Sequence, residues 1–106
     1  MLMFDIEEAR QFEINAPLWL YNGGKAAWHF FTVPQKESAQ IKFLAADVKR
    51  GWGSVRVQVR IGMTEWRTSI FPDSKTQTYI LPVKAEVRKK ESLAEDSTYR
   101  FTLTIL

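Results

Sequence analysis

The chain has 106 residues, no cysteine and a formal net charge of +3. This length fits one domain with a single core, and the 45% hydrophobic content indicates that the domain folds alone. Without cysteine there is neither a disulfide nor a thiolate metal ligand, so a reducing cytoplasm is the expected compartment. We expect no membrane span, no cofactor and no metal.

The positive charge is concentrated in the second part of the chain. Residues 46–106 carry eleven basic and seven acidic side chains, whereas residues 1–45 carry four and five. One interpretation is a basic face for an anionic partner. The favoured interpretation is a solvated surface, because this excess is modest for a nucleic-acid-binding protein.

The first strand follows a short arm. Residues 1–9 have no clear periodicity and are predicted to be a loose arm ahead of one domain, residues 10–106. Apolar residues alternate from Phe12 to Leu20, which predicts a strand with one buried face. Pro17 lies on the other face and has no N–H to donate, so the strand is expected at an edge or with a bulge.

The second strand, about residues 26–33, has apolar residues on both faces. One face carries Trp28, Phe30 and Thr32, and the other carries His29, Phe31 and Val33. A strand of this composition is expected to be covered on two sides.

A strand that ends at proline and leads into a charged amphipathic helix occurs twice. Residues 30–34 precede the first helix, and Tyr79-Ile80-Leu81-Pro82 precedes the second. Both prolines, Pro34 and Pro82, are predicted in a first helical turn, where a missing N–H costs nothing. The first helix carries apolar residues at helical spacing, namely Ile41, Leu44, Ala45 and Val48. The repeat indicates one supersecondary unit used twice in a barrel.

Residues 55–61 and 64–70 predict a hairpin with Gly62-Met63 as its two-residue turn. This register places Val59 opposite Trp66 and Arg60 opposite Glu65, so that one face is apolar and the other polar.

Residues 71–106 predict the remaining elements. Residues 71–75 predict a turn-rich connection, Tyr79 to Leu81 a short strand, and the alternation from Tyr99 to Ile105 the last strand. About six strands and two short helices predict a mainly β fold. A closed or nearly closed barrel is expected, because closure removes exposed strand edges.

The segment from Tyr79 to Asp96 resembles the swapped-hairpin unit of AbrB and MazE-type proteins. It has a strand ending at proline, a helix with a Val-Arg pair, a leucine and an acidic turn. The helix is about two residues longer than in those proteins, and the turn lacks their glycine. In AbrB-type proteins two chains share one barrel. Here the earlier copy of the unit, residues 31–41, supplies a second hairpin, so one chain is expected to close the barrel.

A second resemblance covers nearly the whole chain. Five runs are similar to those of a small bacterial family of unknown function, often found ahead of a bacteriocin-protection, OmpD-associated domain. The resemblance implies an AbrB-related double-split barrel, and it supplies no catalytic residues. The runs are Trp28-His29-Phe30, Arg50-Gly51-Trp52-Gly53-Ser54, Trp66-Arg67-Thr68-Ser69, Phe71-Pro72-Asp73 and Tyr79-Ile80-Leu81-Pro82-Val83-Lys84.

Two sets of side chains are candidates for binding. The ligand-binding set is Trp52, Arg67, Lys84 and Arg88, in which an aromatic ring accompanies cations. The nucleic-acid set is Arg56, Arg60 and Arg67, which project from the outer face of the predicted hairpin. The competing interpretation is that Glu65 and Glu91 neutralise part of this charge.

Three functions follow from these residues. The first is a non-enzymatic binding or accessory barrel for an anionic ligand or a protein partner. The second is an AbrB-like DNA-binding regulator. The third is a small hydrolase or transferase that uses His29, the one histidine. No serine stands in a nucleophile-elbow context, so the histidine is expected to be an ordinary strand residue.

Overall fold

The computed structural model describes residues 9–24, 26–47 and 53–106. Six antiparallel strands close into a barrel in the order β1-β2-β5-β4-β3-β6, which confirms the predicted fold class and shows that one chain closes the barrel. The strands are β1 Gln11–Gly23, β2 Ala26–Val33, β3 Val55–Ile61, β4 Thr64–Asp73, β5 Thr78–Pro82 and β6 Thr98–Ile105, and the helices are α1 Gln35–Leu44 and α2 Ala85–Lys90. All but the last residue of the predicted loose arm lies outside the described residues.

Two long strands, β1 and β4, divide the barrel into halves. The first part of β1, residues 11–17, pairs with β6, and the rest pairs with β2. The first part of β4, residues 64–70, pairs with β3, and residues 71–73 pair with β5. We call β3, β6 and the first parts of β1 and β4 the polar half, after the side chains on its outer face. We call β2, β5 and the second parts of β1 and β4 the aromatic half, for the same reason.

Both halves bury their inner faces in one apolar core. At its centre the rings of Phe31 and Phe101, one from each half, lie 4.6 Å apart. The helices add Ile41 from α1 and Val87 from α2 to the same core. The alternating residues of β1, β3 and β6 are buried as the period-two pattern predicts.

The β3–β4 hairpin has the predicted register, with Val59 opposite Trp66 and Arg60 opposite Glu65. Gly62 has a φ of +57°, the left-handed conformation that this turn requires. The turn is held from outside because the Thr64 hydroxyl donates to Glu91 Oε2 at 2.6 Å. Glu91 therefore stabilises the hairpin and does not form an ion pair with Lys84 or Arg88.

Pro34 starts the first helix as predicted, to within one residue, because its backbone oxygen accepts the N–H of Ser38 at 2.8 Å, whereas Pro17 and Pro82 differ from the predictions. Pro17 is not on an edge strand, because it is the last residue of β1 that pairs with β6. Pro34 is the residue just before α1. Pro82 lies in β5 opposite Phe30, and α2 begins only at Ala85. The ladder continues past Pro82, because the next amide, that of Val83, donates to the backbone oxygen of His29 at 2.9 Å.

Two further expectations are corrected. Residues 71–73 are the end of β4 and not a turn, because they pair with β5. Leu44 was expected on the buried side of α1 but is 43% exposed, whereas Ile41 and Ala45 are buried. Val48 lies outside the described residues.

The two copies of the strand, proline and helix unit lie side by side. Their strands, β2 and β5, are antiparallel neighbours, with Phe31 opposite Leu81 and Val33 opposite Tyr79. The buried Ser38 of α1 joins both strands: its hydroxyl donates to Val33 O at 2.9 Å and accepts from Tyr79 N at 3.0 Å. The repeat thus forms the centre of the aromatic half.

Among the described residues, no helix is long and apolar enough to cross a membrane.

Candidate ligand-binding face

The outer face of the polar half carries both ion pairs and arginines without a carboxylate partner among the described residues. Arg100 lies 3.4 Å from Glu13, and Arg60 lies 3.9 Å from Glu65. Glu65 also accepts a hydrogen bond of 2.7 Å from the amide of Gln58. These charges are exposed and paired, as on an ordinary solvated surface. Arg56 and Arg67, on the same outer face, have no carboxylate partner among the described residues.

The outer face of the aromatic half is apolar across four strands. Residues that pair across neighbouring strands face the same side of a sheet, so the register places seven side chains together. They are Trp19 and Tyr21 on β1, Trp28 and Phe30 on β2, Ile80 and Pro82 on β5, and Phe71 on β4. We call these seven residues the aromatic face.

Contacts between the rings order the aromatic face. The indole nitrogen of Trp19 donates to the Thr32 hydroxyl at 2.9 Å, and its ring lies 5.0 Å from that of Phe30. Phe30 also stacks on Trp28, with ring centroids 6.5 Å apart and planes 15° from parallel. Such contacts add stability beyond area burial and restrict the rings to defined orientations.

The aromatic face is open to water. Tyr21 and Trp28 are each 54% exposed and Phe71 is 40% exposed. The face holds a shallow groove of about 390 Å³, which is lined by Tyr21, Trp28, Phe30, Phe71, Ile80 and Pro82. This volume lies at the lower end of the range of small-molecule sites.

The expectation that β2 is covered on two sides is therefore half correct. Phe31 and Val33, on the inner side, are completely buried. Trp28, on the outer side, leaves more than half of its surface exposed. The residues that the sequence indicated for burial are the ones that now form an exposed site.

Two cations lie beside the aromatic face. Arg56 on β3 is opposite Ser69, which precedes Phe71 by two residues on the same side of β4, and Arg56 Nη1 donates to the Ser69 hydroxyl at 3.5 Å. Lys84 follows Pro82 by two residues, just before α2. Neither cation forms an ion pair with a carboxylate in the part of the chain that the structure describes.

One carboxylate also lies near this face, and it keeps its negative charge. Asp73 follows Phe71 by two residues on β4, and its Oδ1 accepts the backbone N–H of Lys75 at 3.1 Å. The face is thus bordered by two cations without ion pairs among the described residues, Arg56 and Lys84, and by one carboxylate, Asp73, that accepts a backbone hydrogen bond.

The predicted ligand-binding residues come from different parts of the chain. Trp52 lies outside the described residues. Arg67 donates to Gln58 Oε1 at 3.4 Å on the outer face of the hairpin, and Arg88 donates to Val83 O at 3.3 Å. Of the three described residues of this set, Lys84 follows Pro82 of the aromatic face by two residues.

The three arginines of the nucleic-acid set do share the outer side of the hairpin. Arg56, Arg60 and Arg67 are all exposed. Arg60 is paired with Glu65, as the competing interpretation expected. Arg56 is the member of this set that lies beside the aromatic face and has no carboxylate partner among the described residues.

His29 forms a pair with Glu95. Its Nε2 lies 3.2 Å from Glu95 Oε1, which ties β2 to the segment before β6. The imidazole is 12% exposed and the carboxylate 48% exposed. Among the described residues, the hydrogen-bond partner of the His29 ring is Glu95 and not a hydroxyl.

A larger cleft of about 680 Å³ lies between α1 and the β4–β5 connection. Its lining includes Ser38, Lys42, Asp73, Gln77 and Tyr79. Burial raises the pKa of the Tyr79 hydroxyl above its ordinary value of 10.0, so this phenol stays neutral at physiological pH. Across the described ranges, no group of three His, Asp or Glu side chains is placed to hold a metal ion.

The sequence pattern did not predict the aromatic face, because the seven residues of this face come from four strands. The signal was present in β2, where both faces are apolar, although the natural inference from that pattern is burial.

The closed barrel and its ordered, exposed aromatic face define a small β-barrel domain. The chain belongs to the family described as Domain of unknown function (DUF1905), whose model matches residues 15–103. This match extends from β1 into β6 and therefore includes the whole aromatic face. No curated protein matches the chain.

Proposed function

We propose that this domain is a non-enzymatic binding or accessory barrel that takes up its ligand on the aromatic face. The observation that carries the proposal is the exposure of ordered aromatic rings on a surface that folding does not require to be apolar. Contiguous exposed apolar surface in a folded domain marks an interaction site more often than isolated apolar residues do.

The chemistry of the ligand follows from the border of the face. Arg56 and Lys84 have no carboxylate partners among the described residues, so they favour negative charge beside the groove. The rings of Trp28 and Phe71 favour a flat or apolar group within it. The proposed ligand therefore combines a flat group with an anionic one. We also propose that the protein is bacterial and cytoplasmic. As part of the same proposal, the domain is associated with a bacteriocin-protection domain.

The test is a titration of the isotope-labelled protein followed by backbone amide NMR. Three probes separate the two features: uridine 5′-monophosphate has ring and charge, uridine has only the ring, and pyrophosphate has only the charge. We expect the nucleotide to shift amide signals of β2, β5 and the end of β4, and to bind more tightly than either partial probe.

A matched pair of variants assigns the site. Trp28→Ala removes an exposed ring of the groove, whereas Phe43→Ala removes a ring that is 82% exposed on α1, outside it. The proposal requires that the first variant weakens nucleotide binding and the second does not. Shifts confined to the α1 cleft or to His29 would contradict it.

A second proposal is an AbrB-like DNA-binding regulator, which one observation favours. Arg56, Arg60 and Arg67 lie on the same outer side of one hairpin, where a duplex backbone has access to them. Replacing all three with alanine should then abolish salt-dependent binding to mixed-sequence duplex. A wild-type protein that does not bind duplex at low salt would remove this function.

A further inference from the structure

We infer that the aromatic face binds single-stranded nucleic acid, with bases stacked on its rings and phosphates held by the cations at its border. The inference rests on the proposed function and names its ligand class.

The dimensions of the face suit more than one base. It extends over β1, β2, β5 and β4, and neighbouring strands lie about 4.8 Å apart, so it measures about 14 Å across. Trp28 and Phe30 are stacked almost parallel, and Tyr21 lies opposite Trp28 on the neighbouring strand. Bases stack on aromatic side chains with little dependence on sequence, because every base has a π face.

The charges at the border complete the arrangement for a backbone. Arg56 lies beyond Phe71 at one side of the groove, and Lys84 follows Pro82 at another. A strand whose bases lie in the groove would have phosphates near one or both cations. Cations beside stacking rings are the recurrent combination in proteins that bind single strands.

A duplex does not fit this face equally well. In double-stranded DNA the base faces are stacked on one another, and only base edges and phosphates are accessible. A duplex would contact Arg56 and Lys84 but leave the rings of Trp28 and Phe71 without partners. The apolar groove therefore favours the single strand.

The charges at the border of the aromatic face also argue against a second copy of the chain as its ligand. A symmetric dimer through the aromatic face would use the same patch on both partners. Each copy would then bring two cations, Arg56 and Lys84, and one carboxylate, Asp73, to the same interface, so a net positive charge would face a net positive charge. A negatively charged ligand instead neutralises this charge.

The experiment measures fluorescence anisotropy of labelled oligonucleotides with the whole chain. The probes are oligothymidylate and oligouridylate of about 12 nucleotides, within the range of site sizes for single-strand-binding barrels, and a duplex of equal length. We expect at least about tenfold tighter binding of a single strand than of the duplex. The tighter of the two single strands identifies DNA or RNA as the source.

Ring variants test the stacking. Stacking is worth about 1–3 kcal/mol per base, so Trp28→Ala and Phe71→Ala should each weaken binding by about fivefold or more. Trp28→Phe, which keeps a ring, should retain most of the affinity. Phe43→Ala should have no effect, because Phe43 is exposed outside the groove.

Charge variants test the phosphate contacts. Arg56→Gln should reduce the magnitude of the salt slope of log K by about 0.7, the value for one phosphate of a single strand. Arg100→Gln should leave the slope unchanged, because Arg100 is paired with Glu13 on the polar half.

Several outcomes would overturn the inference. If the duplex binds as tightly as the single strands or more tightly, the cations contact duplex DNA and the inference is wrong. Unchanged affinity in folded Trp28→Ala and Phe71→Ala proteins removes the stacking, and a dimer that Trp28→Ala dissociates assigns the face to a second copy. If uridine monophosphate binds the face but the oligomers bind no more tightly, the proposed function stands and this inference fails. If neither binds, both fail.

Discussion

The two halves of the barrel share one core but differ on their outer faces. In the polar half, β3 and β6 alternate between buried apolar residues and exposed polar ones, as in any strand with one wet face. In the aromatic half, β2 and β5 are apolar on both sides. The formation of the core explains why one face of each strand is apolar. It does not explain the second apolar face of β2 and β5, which we propose serves binding.

The largest expected effect separates the inner side of the aromatic half from its outer side. Phe31→Ala should reduce the free energy of unfolding by about 3–5 kcal/mol, because it leaves a cavity at the centre of the core. Phe71→Ala should cost less than about 1 kcal/mol, because Phe71 is 40% exposed. Urea denaturation measures both. Equal losses would mean that the outer ring is structural and would weaken the assignment to binding.

The next effect concerns the hydroxyl that joins the two strands of the aromatic half. Ser38→Ala removes an acceptor from Tyr79 N and a donor to Val33 O, both buried, so we expect a loss of about 1–3 kcal/mol. Ser69→Ala is the control, because its hydroxyl contacts the exposed Arg56 and should matter by less than about 0.5 kcal/mol. The prediction fails if the two serines are equivalent in urea denaturation.

A smaller effect appears only at alkaline pH. Burial raises the pKa of Tyr79 in the folded state. The contribution of the neutral Tyr79 phenol to the free energy of unfolding is therefore present below pH 10.0 and is lost as the pH rises through the folded-state pKa. The unfolding free energy of Tyr79→Phe should therefore decline less steeply above pH 10.0 than that of the wild type. Parallel declines in urea titrations at several pH values would contradict the prediction.

The smallest effect belongs to the outer face of the polar half. Arg100→Ala and Glu13→Ala should each change the free energy of unfolding by less than about 0.5 kcal/mol, because their ion pair is exposed and screened. A double-mutant cycle in low and high salt measures the coupling. A coupling above about 1 kcal/mol would show that the polar face contributes to stability as well as solubility.

Much of the barrel follows from local pattern. The period-two alternation predicts β1, β3 and β6, and the Gly62-Met63 turn predicts every pair of the β3–β4 register. The placement of Pro17 and Pro82 does not follow, because whether a proline lies at a partner change or within a ladder depends on the neighbouring strands. Of the candidate sites, the sequence indicated Lys84 and Arg56 but separated them into different sets.

The sequence by itself determined the six strands, the common core and the repeated unit, because strand periodicity and turn chemistry depend on residues close in the chain. Only the tertiary structure decided that the second apolar face of β2 stays exposed. That outcome depends on which elements pack beside Trp28, and its partners Tyr21, Phe71 and Pro82 come from three other strands. The aromatic face is thus a product of barrel closure, which joins residues that no local pattern relates.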